Sequence, residues 1–160
     1  MKTEKSIKES KRKKALGELG ELIGVKTLVD CGFLAIMNLN DKKMNYPFAD
    51  LYATKKGKRY VISIKARNKI QRDGNLNARY ILGRDVLTKA SKAAKEFNAI
   101  PAWMAISFTE KTYSVYFGTL DELKNPDAIP VSECMKKKLG QCLVEDKTHY
   151  FDWDYFKNEL

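Results

Sequence analysis

Histidine and paired cysteines are scarce in this sequence. The 160 residues include one histidine, His149, and three cysteines, Cys31, Cys134 and Cys142. No two cysteines form a CxxC pair, so a structural zinc site is not expected. An enzyme with a histidine base would have to rely on His149 alone, which argues against the serine and cysteine hydrolase classes.

Long apolar runs are also missing. No stretch approaches the ~20 residues that a membrane-spanning helix needs, and the first ten residues, MKTEKSIKES, have no apolar core of a secretion signal. We therefore expect a cytoplasmic protein, or a nuclear one in a eukaryote, with no membrane partner. The length predicts one domain over 1–160, with a basic segment over 1–14, a core over about 15–118 and peripheral elements over 119–160.

Acidic residues are outnumbered by basic ones. Thirty Lys and Arg against twenty Asp and Glu give a formal net charge of +10. Such a surface attracts polyanions, so nucleic acid is the expected partner; added solubility is the alternative. Residues 2–14 hold seven of the basic residues. We expect Lys13 and Lys14, which end this segment, to contact phosphate groups of the backbone.

Apolar periodicity predicts a long first helix. Apolar residues recur at helical spacing between 16 and 23, and Cys31-Gly32 is expected to end the helix. Three glycines in it indicate close packing or a tight functional approach: Gly17, Gly20 and Gly24.

Short apolar or alternating segments predict the strands that follow. Residues 33–39 suit a buried strand, and a polar turn over 40–45 comes next. DLYAT and RYVISIKA are expected to form a hairpin, with Lys55-Lys56-Gly57-Lys58 as its turn. The remaining predictions are a helix over 84–97 ended by Asn98, a parallel strand over 101–108 and a last strand over 112–117. The fold class is therefore α/β, with a central mixed sheet flanked by helices.

An acid and a lysine occupy the ends of neighbouring strands. Asp50 follows Pro47-Phe48-Ala49 at the start of one hairpin strand, and Lys65 lies late on the other. Alternation puts Ser63 and Lys65 on one face and turns the Ile64 side chain the other way. A hard cation such as Mg²⁺ prefers oxygen ligands, which Asp50 and the Ile64 carbonyl could supply. Lys65 could orient water or stabilise charge on a phosphate.

These residues resemble the PD-(D/E)XK nuclease superfamily, whose motif is a proline and an aspartate, then acid-X-lysine on the adjacent strand. The predicted order of helix, three strands, helix, strand and strand, over about 16–117, is similar to its restriction-endonuclease-like core, and especially to archaeal Holliday junction resolvases. Gly20-Glu21, Cys31-Gly32-Phe33, ADLYA and VISIKAR are similar to a small bacterial nuclease-like family. The resemblance implies a Mg²⁺- or Mn²⁺-dependent endonuclease acting on DNA, at branched or structured sites, and a homodimer.

The resemblance also implies a metal-binding glutamate on the first helix, which matches Glu21, with Glu18 one turn away as the alternative. Ser63 departs from the motif because it stands where the second acid is expected, and this removes one negative charge from a metal site. Glu18 or Asp85 could compensate. The spacing from Pro47 to Asp50 is one residue wider than in the tightest relatives. The catalytic candidates are Asp50, Lys65, Glu21 and Ser63, and the candidate metal ligands are Asp50, Glu21 and Ile64.

The segment 67–83 after the motif is polar and basic and has no sustained period, so it predicts an exposed loop along a substrate groove. An ordinary solvated loop is the alternative. Its candidate nucleic-acid contacts are Arg67, Lys69, Arg72, Arg79, Tyr80 and Arg84. Aromatic residues near the end could stack on bases, with core packing or a dimer contact as the stronger expectation: Tyr150, Phe151, Trp153, Tyr155 and Phe156.

Three functions fit these observations. The first is a metal-dependent endonuclease for DNA rather than RNA. The second is a catalytically inactive nucleic-acid-binding module on a nuclease scaffold, marked by Ser63. The third is an assembly subunit that meets a protein partner through its aromatic end. Divalent-metal binding separates the first from the second, and polyanion affinity at low salt separates both from the third.

Overall fold

Three helices and eight strands make up the part of the chain that the computed structural model describes, residues 3–41 and 46–150. The helices are α1 (Glu4–Asp30), α2 (Val86–Phe97) and α3 (Val131–Met135). The strands are β1 (Leu34–Asn38), β2 (Leu51–Lys55), β3 (Lys58–Asn68), β4 (Tyr80–Ile81), β5 (Ile100–Phe108), β6 (Thr112–Thr119), β7 (Ala128–Ile129) and β8 (Gln141–Thr148).

Six strands form one mixed sheet in the order β1-β2-β3-β5-β6-β8. The first three are antiparallel neighbours, β3 and β5 run parallel, and β6 and β8 continue the sheet antiparallel. The helix α2 connects the two parallel strands, while β4 and β7 form a separate two-stranded sheet. This order of helix, three strands, helix and strand confirms the predicted restriction-endonuclease-like α/β core.

The long helix α1 lies against one face of the sheet. Its buried positions recur every three or four residues, as in any amphipathic helix on a core: Leu16, Gly20, Ile23, Gly24, Thr27 and Leu28. A Cβ atom at Gly20 would lie 2.6 Å from the Ala66 Cβ, and one at Gly24 would lie 2.8 Å from the Ile64 Cδ1. These two glycines therefore permit close packing on β3, as predicted. Gly17 has no atom within 4 Å of such a Cβ.

The opposite face carries α2, α3 and the small β4–β7 sheet. Val86 and Ala90 of α2 share a buried cluster with Trp103 of β5. The Trp103 side chain is fully buried, and its indole N–H donates to the Thr119 carbonyl at 3.0 Å. A Cβ at Gly118 would lie 2.3 Å from Trp103 Cζ2. Only glycine therefore fits beside this ring.

The beginning of the chain differs from its prediction. The helix α1 starts at Glu4, so the basic residues that were expected as a separate segment over 1–14 are helical from that point. The Thr3 hydroxyl caps the helix by accepting from the Ser6 N–H, and an ion pair between Glu9 and Arg12 stabilises the second turn.

Strand β1 lies at the edge of the sheet, whereas the sequence predicted a buried strand here. Leu34 is 69% exposed, and β1 pairs with β2 alone. A short apolar run has the same composition in a buried strand and in a half-covered edge strand, so the sequence cannot separate the two.

Residues 70–76 of the segment 67–83 are exposed, as predicted for a loop, but local backbone pairing orders the segment. Strand β3 continues to Asn68, and residues 69–77 then form a hairpin-like projection, here called the arm. The Asn77 N–H donates to the Lys69 carbonyl at 2.8 Å across the base of the arm. Turn residues and the lack of a long alternating run hid this local pairing from the sequence.

Residues after 119 contribute to both the core and the sheet, beyond the peripheral role expected of them. Strand β8 extends the sheet beside β6, and Ile129, Val131 and Cys134 are buried. The sequence QCLVEDKT of β8 is polar because an edge strand meets solvent.

Parts of two predictions lie outside the described residues. These are positions 42–45 of the turn predicted over 40–45, and the four aromatic residues Phe151, Trp153, Tyr155 and Phe156. The first residue of the aromatic series, Tyr150, is exposed. Among the helices that the structure describes, none has the length and apolarity to cross a membrane.

Candidate active site

A tight turn sets the position of Asp50 just before β2. The Ala49 N–H donates to the Pro47 carbonyl at 2.8 Å across Phe48, whose φ is 66°. A three-residue turn with a bulky residue in the left-handed region is rare and strained. The Asp50 N–H then donates to the Ile62 carbonyl at 2.8 Å and so joins the sheet.

The hairpin brings Asp50 beside the part of β3 that carries Ser63 and Lys65. The last pair of the β2–β3 ladder at this end is Leu51 with Ile62, and Asp50 directly precedes Leu51. Alternation along β3 puts Ser63 and Lys65 on one face. The Asp50 Oδ2 accepts from the Ile64 N–H at 2.7 Å, which fixes the carboxylate over β3.

The helix α1 brings a second carboxylate, Glu21, to the same place. Burial raises the pKa of Glu21, and the charge of Asp50 raises it further, so the two carboxylates are close neighbours. The Asn40 side chain donates to Glu21 Oε1 at 3.2 Å. The structure therefore unites Asp50, Glu21 and Lys65, which the sequence had placed on three separate elements.

Burial favours the neutral form of each charged group in this cluster. Burial raises the pKa of Asp50, against the lowering effects of the Ile64 N–H, the Lys65 charge and the Asn40 side chain. Burial lowers the pKa of Lys65, while Asp50 raises it. Two neighbouring carboxylates and a partly buried ammonium group, each shifted in this way, are typical of a functional site.

Two members of the cluster were not predicted. Asn40 contacts Glu21, and Lys89 of α2 adds, after burial, to the lowered pKa of Lys65. Neither stands in a motif, so only the tertiary fold identifies them. Two acids were expected to compensate for Ser63. The charge of one of them, Glu18, raises the pKa of Glu21, although burial and the charge of Asp50 have larger effects. Asp85 is the N-cap of α2.

The available donors fit a divalent metal ion. Asp50 and Glu21 offer carboxylate oxygens. Alternate carbonyls of a strand point to the same side, so the Ile64 carbonyl points toward β2, as does the Ile62 carbonyl that accepts from the Asp50 N–H. Mg²⁺ commonly takes one or two protein carboxylates and completes its shell with water. Within residues 3–41 and 46–150, no group of three or more His, Cys, Asp or Glu side chains could hold a metal ion. Ser63 is 2% exposed and adds no charge.

The predicted nucleic-acid contacts lie in several places. Lys13 and Lys14 are exposed on α1, Lys69 and Arg72 belong to the arm, and Arg67 and Arg84 are exposed on either side of it. Arg79 lines a different depression, beside Lys124 and Lys138. The structure therefore does not gather these residues into one surface.

The prediction that Tyr80 contacts nucleic acid is wrong. Its side chain is 1% exposed and belongs to the cluster that contains Ile129. Burial raises the pKa of its hydroxyl to about 12. A ring enclosed in this way cannot stack on a base, and the alternation of polar and apolar residues around position 80 was too short to reveal strand β4.

Comparison with known proteins finds likenesses among solved structures. No protein-family model and no curated protein matches the chain. Among solved structures, the chain is similar to Hjc from Archaeoglobus fulgidus, a Holliday junction resolvase from an archaeal hyperthermophile. The identity is 16%, the match covers 73% of this chain and 98% of that chain, and the TM-score is 0.49. The fold class itself follows from the order and pairing of the elements described above.

Proposed function

We propose that this protein is a metal-dependent endonuclease that hydrolyses DNA phosphodiester bonds. The observation that carries the proposal is the meeting of Asp50, Glu21 and Lys65 at one end of the β2–β3 hairpin, with burial disfavouring the charge of each. A divalent cation would stabilise the charged form of the two carboxylates, and a phosphate would stabilise the charged form of the lysine.

Asp50 and Glu21 would hold the cation, with the Ile64 carbonyl as a further oxygen donor. A bound Mg²⁺ or Mn²⁺ supplies a Lewis acid that polarises the phosphate and lowers the pKa of a bound water. The Ile64 N–H restrains the Asp50 carboxylate, and Asn40 restrains that of Glu21. The Lys65 ammonium group would stabilise the negative charge that develops on the phosphate oxygens.

A catalytically inactive nucleic-acid-binding module is the second candidate. The observation that favours it is the buried, neutral Ser63, which directly precedes the Ile64 N–H that holds the Asp50 carboxylate. Two carboxylates bind a divalent cation less tightly than three, since each anionic ligand adds attraction. The basic surface would remain and would bind nucleic acid without cleaving it.

The test is a cleavage assay with substrates of several shapes. Linear duplex, single-stranded and four-way-junction DNA, and matching RNA, are incubated with Mg²⁺ or Mn²⁺. The junction is included because the motif resembles that of archaeal resolvases. Asp50→Asn and Lys65→Met are compared with Lys58→Met, which removes an exposed lysine at the start of the same strand.

We expect metal-dependent cleavage that falls at least about 100-fold in Asp50→Asn and Lys65→Met, about 2.7 kcal/mol of transition-state stabilisation, and stays unchanged in Lys58→Met. Ser63→Glu adds the missing acid. Salt-sensitive binding without cleavage by the natural sequence, together with cleavage by Ser63→Glu, would instead identify the inactive module. Absence of binding to any nucleic acid at low salt would refute both candidates.

A further inference from the structure

A basic groove runs between the first turns of α1 and the arm. Lys5, Lys8 and Arg12 line it from the helix together with Glu4 and Glu9, and Asn68 and Arg72 line it from the other side. A second depression continues it past Asn68 to Lys69. We propose that this groove, here called the α1–arm groove, binds the phosphate backbone of nucleic acid, and that Glu9 occupies its two arginines until a phosphate displaces it. The proposal rests on the proposed function for its ligand class.

Glu9 is the centre of the groove's ion pairs. Its Oε1 atom accepts from Arg12 Nη2 at 2.6 Å, and its Oε2 atom accepts from Arg72 Nη2. The Arg12 side chain hydrogen bond, followed by the charges of Arg12 and Arg72, holds the pKa of Glu9 below its usual range despite some opposing desolvation. One carboxylate thus engages two guanidinium groups from two separate elements. Two converging guanidinium groups are also a good site for a phosphate.

The arm holds Arg72 in place over the helix. The Lys69 N–H donates to the Phe108 carbonyl at 2.7 Å, the Asn77 N–H donates to the Lys69 carbonyl at 2.8 Å, and the Gly74 N–H donates to the Gln71 carbonyl at 3.0 Å. These bonds order the base and the turn of the arm, so little conformational entropy remains to be lost on binding.

Solvent reaches the ion pair between Glu9 and Arg72. The Arg72 side chain is 72% exposed and that of Glu9 is 28% exposed. Ion pairs that face solvent contribute about 0–1 kcal/mol, so a backbone phosphate, which carries the same single negative charge as a carboxylate, can replace Glu9 as the partner of Arg72. Arg12, whose side chain is 27% exposed, stays at the floor of the groove.

The test measures binding without cleavage. Fluorescence anisotropy of a labelled 20-base-pair duplex is recorded in EDTA, over a range of NaCl concentrations, for Glu9→Gln, Arg72→Gln and the double variant. Glu145→Gln and Lys58→Gln make the same charge changes outside the groove and serve as controls. Because EDTA removes divalent metal, the result does not depend on whether the Asp50 cluster is catalytic.

We expect Glu9→Gln to bind about 3- to 10-fold more tightly at low salt than the natural sequence, and more tightly than Glu145→Gln. Arg72→Gln should bind more weakly than Lys58→Gln, with a salt slope smaller by about 1. The gain from Glu9→Gln should shrink when Arg72→Gln is added. Weaker binding by Glu9→Gln, or a gain equal to that of Glu145→Gln, would overturn the proposal. A gain seen for polyglutamate but not for DNA would also overturn it, in favour of an acidic protein ligand.

Discussion

Asp50 is held where its charge is unfavourable. The residue is tied to the sheet on both sides, since its N–H donates to the Ile62 carbonyl and its own carbonyl accepts from the Leu39 N–H at 2.9 Å. The strained turn at Phe48 lies two residues earlier. Backbone strain this close to an unfavourable charge is typical of a site that exchanges stability for function.

The pKa of Asp50 predicts how stability changes with pH. Burial raises this pKa in the folded protein even with Lys65 nearby. The folded state then holds the proton more tightly than the unfolded chain, so stability falls as pH rises from the unfolded pKa through the folded one. Asp50→Asn removes the charge and keeps an oxygen acceptor for the Ile64 N–H. We expect it to have a higher Tm than the natural sequence at pH 7 in EDTA, measured by circular dichroism.

The difference in Tm should shrink as the pH is lowered toward about 3, below the unfolded pKa of roughly 3.9 for Asp. Asp127→Asn, which neutralises an exposed acid, is the control and should show no comparable dependence. A lower Tm for Asp50→Asn at pH 7 would mean that the Asp50 charge stabilises the fold.

The positions of single site residues were predicted correctly where they depend only on neighbouring residues in the sequence. Strand alternation alone placed Ser63 and Lys65 on one face, and the motif placed Asp50 beside them. Asn40 and Lys89 could not be predicted, because their roles depend on how separate elements meet. Tyr80 was wrong for the same reason, since its burial depends on strand β7, about fifty residues later in the chain.

At the scale of the element, two glycines of α1, Gly17 and Gly20, lie in opposite surroundings. Gly17 is exposed with open space around it, whereas a Cβ at Gly20 would lie 2.6 Å from the Ala66 Cβ. In a helix interior, Ala is favoured over Gly by about 1 kcal/mol. We expect Gly17→Ala to raise the free energy of unfolding by about that amount. Gly20→Ala should lower it by about 1–3 kcal/mol, because the helix must move away from β3.

Urea unfolding followed by circular dichroism measures both changes under the same conditions. Each variant acts as the other's control, since the substitution, the helix and the propensity gain are the same. Equal effects of the two substitutions would show that α1 is not packed on β3 as closely as described.

The predicted elements agree with the structure best where a repeat is long. The 3.6-residue period of α2 and the alternation of the β2–β3 hairpin were sufficient to predict both. Strand β8 and the arm were missed because their backbone bonds are made by polar, partly exposed residues. The sequence pattern of such segments resembles that of a loop.

At the scale of the whole molecule, the charge of +10 predicts strongly salt-dependent binding. Each phosphate neutralised by the protein contributes about 0.9 to the slope of log K against log salt. With about four contacts from the α1–arm groove, affinity for a duplex should fall about a hundredfold between 50 and 200 mM NaCl. Duplexes of unrelated sequence should behave alike, because backbone contacts carry no sequence information.

Anisotropy titrations at several salt concentrations measure this slope. The third hypothesis, an assembly subunit with a protein partner, predicts little affinity for duplex at any salt. A change of less than about threefold over the same range would therefore favour it, because few phosphates would then be contacted.

The parallel pairing of β3 with β5 has a consequence for synthesis. Glu21, Asp50 and Lys65 all leave the ribosome before β5, which begins at Ile100 and forms the far side of the strand that carries Lys65. Parallel pairing across an intervening helix is non-local and slow to form. The nascent chain thus displays every charged member of the cluster before the central sheet that aligns them exists. The cluster is therefore completed only late in translation.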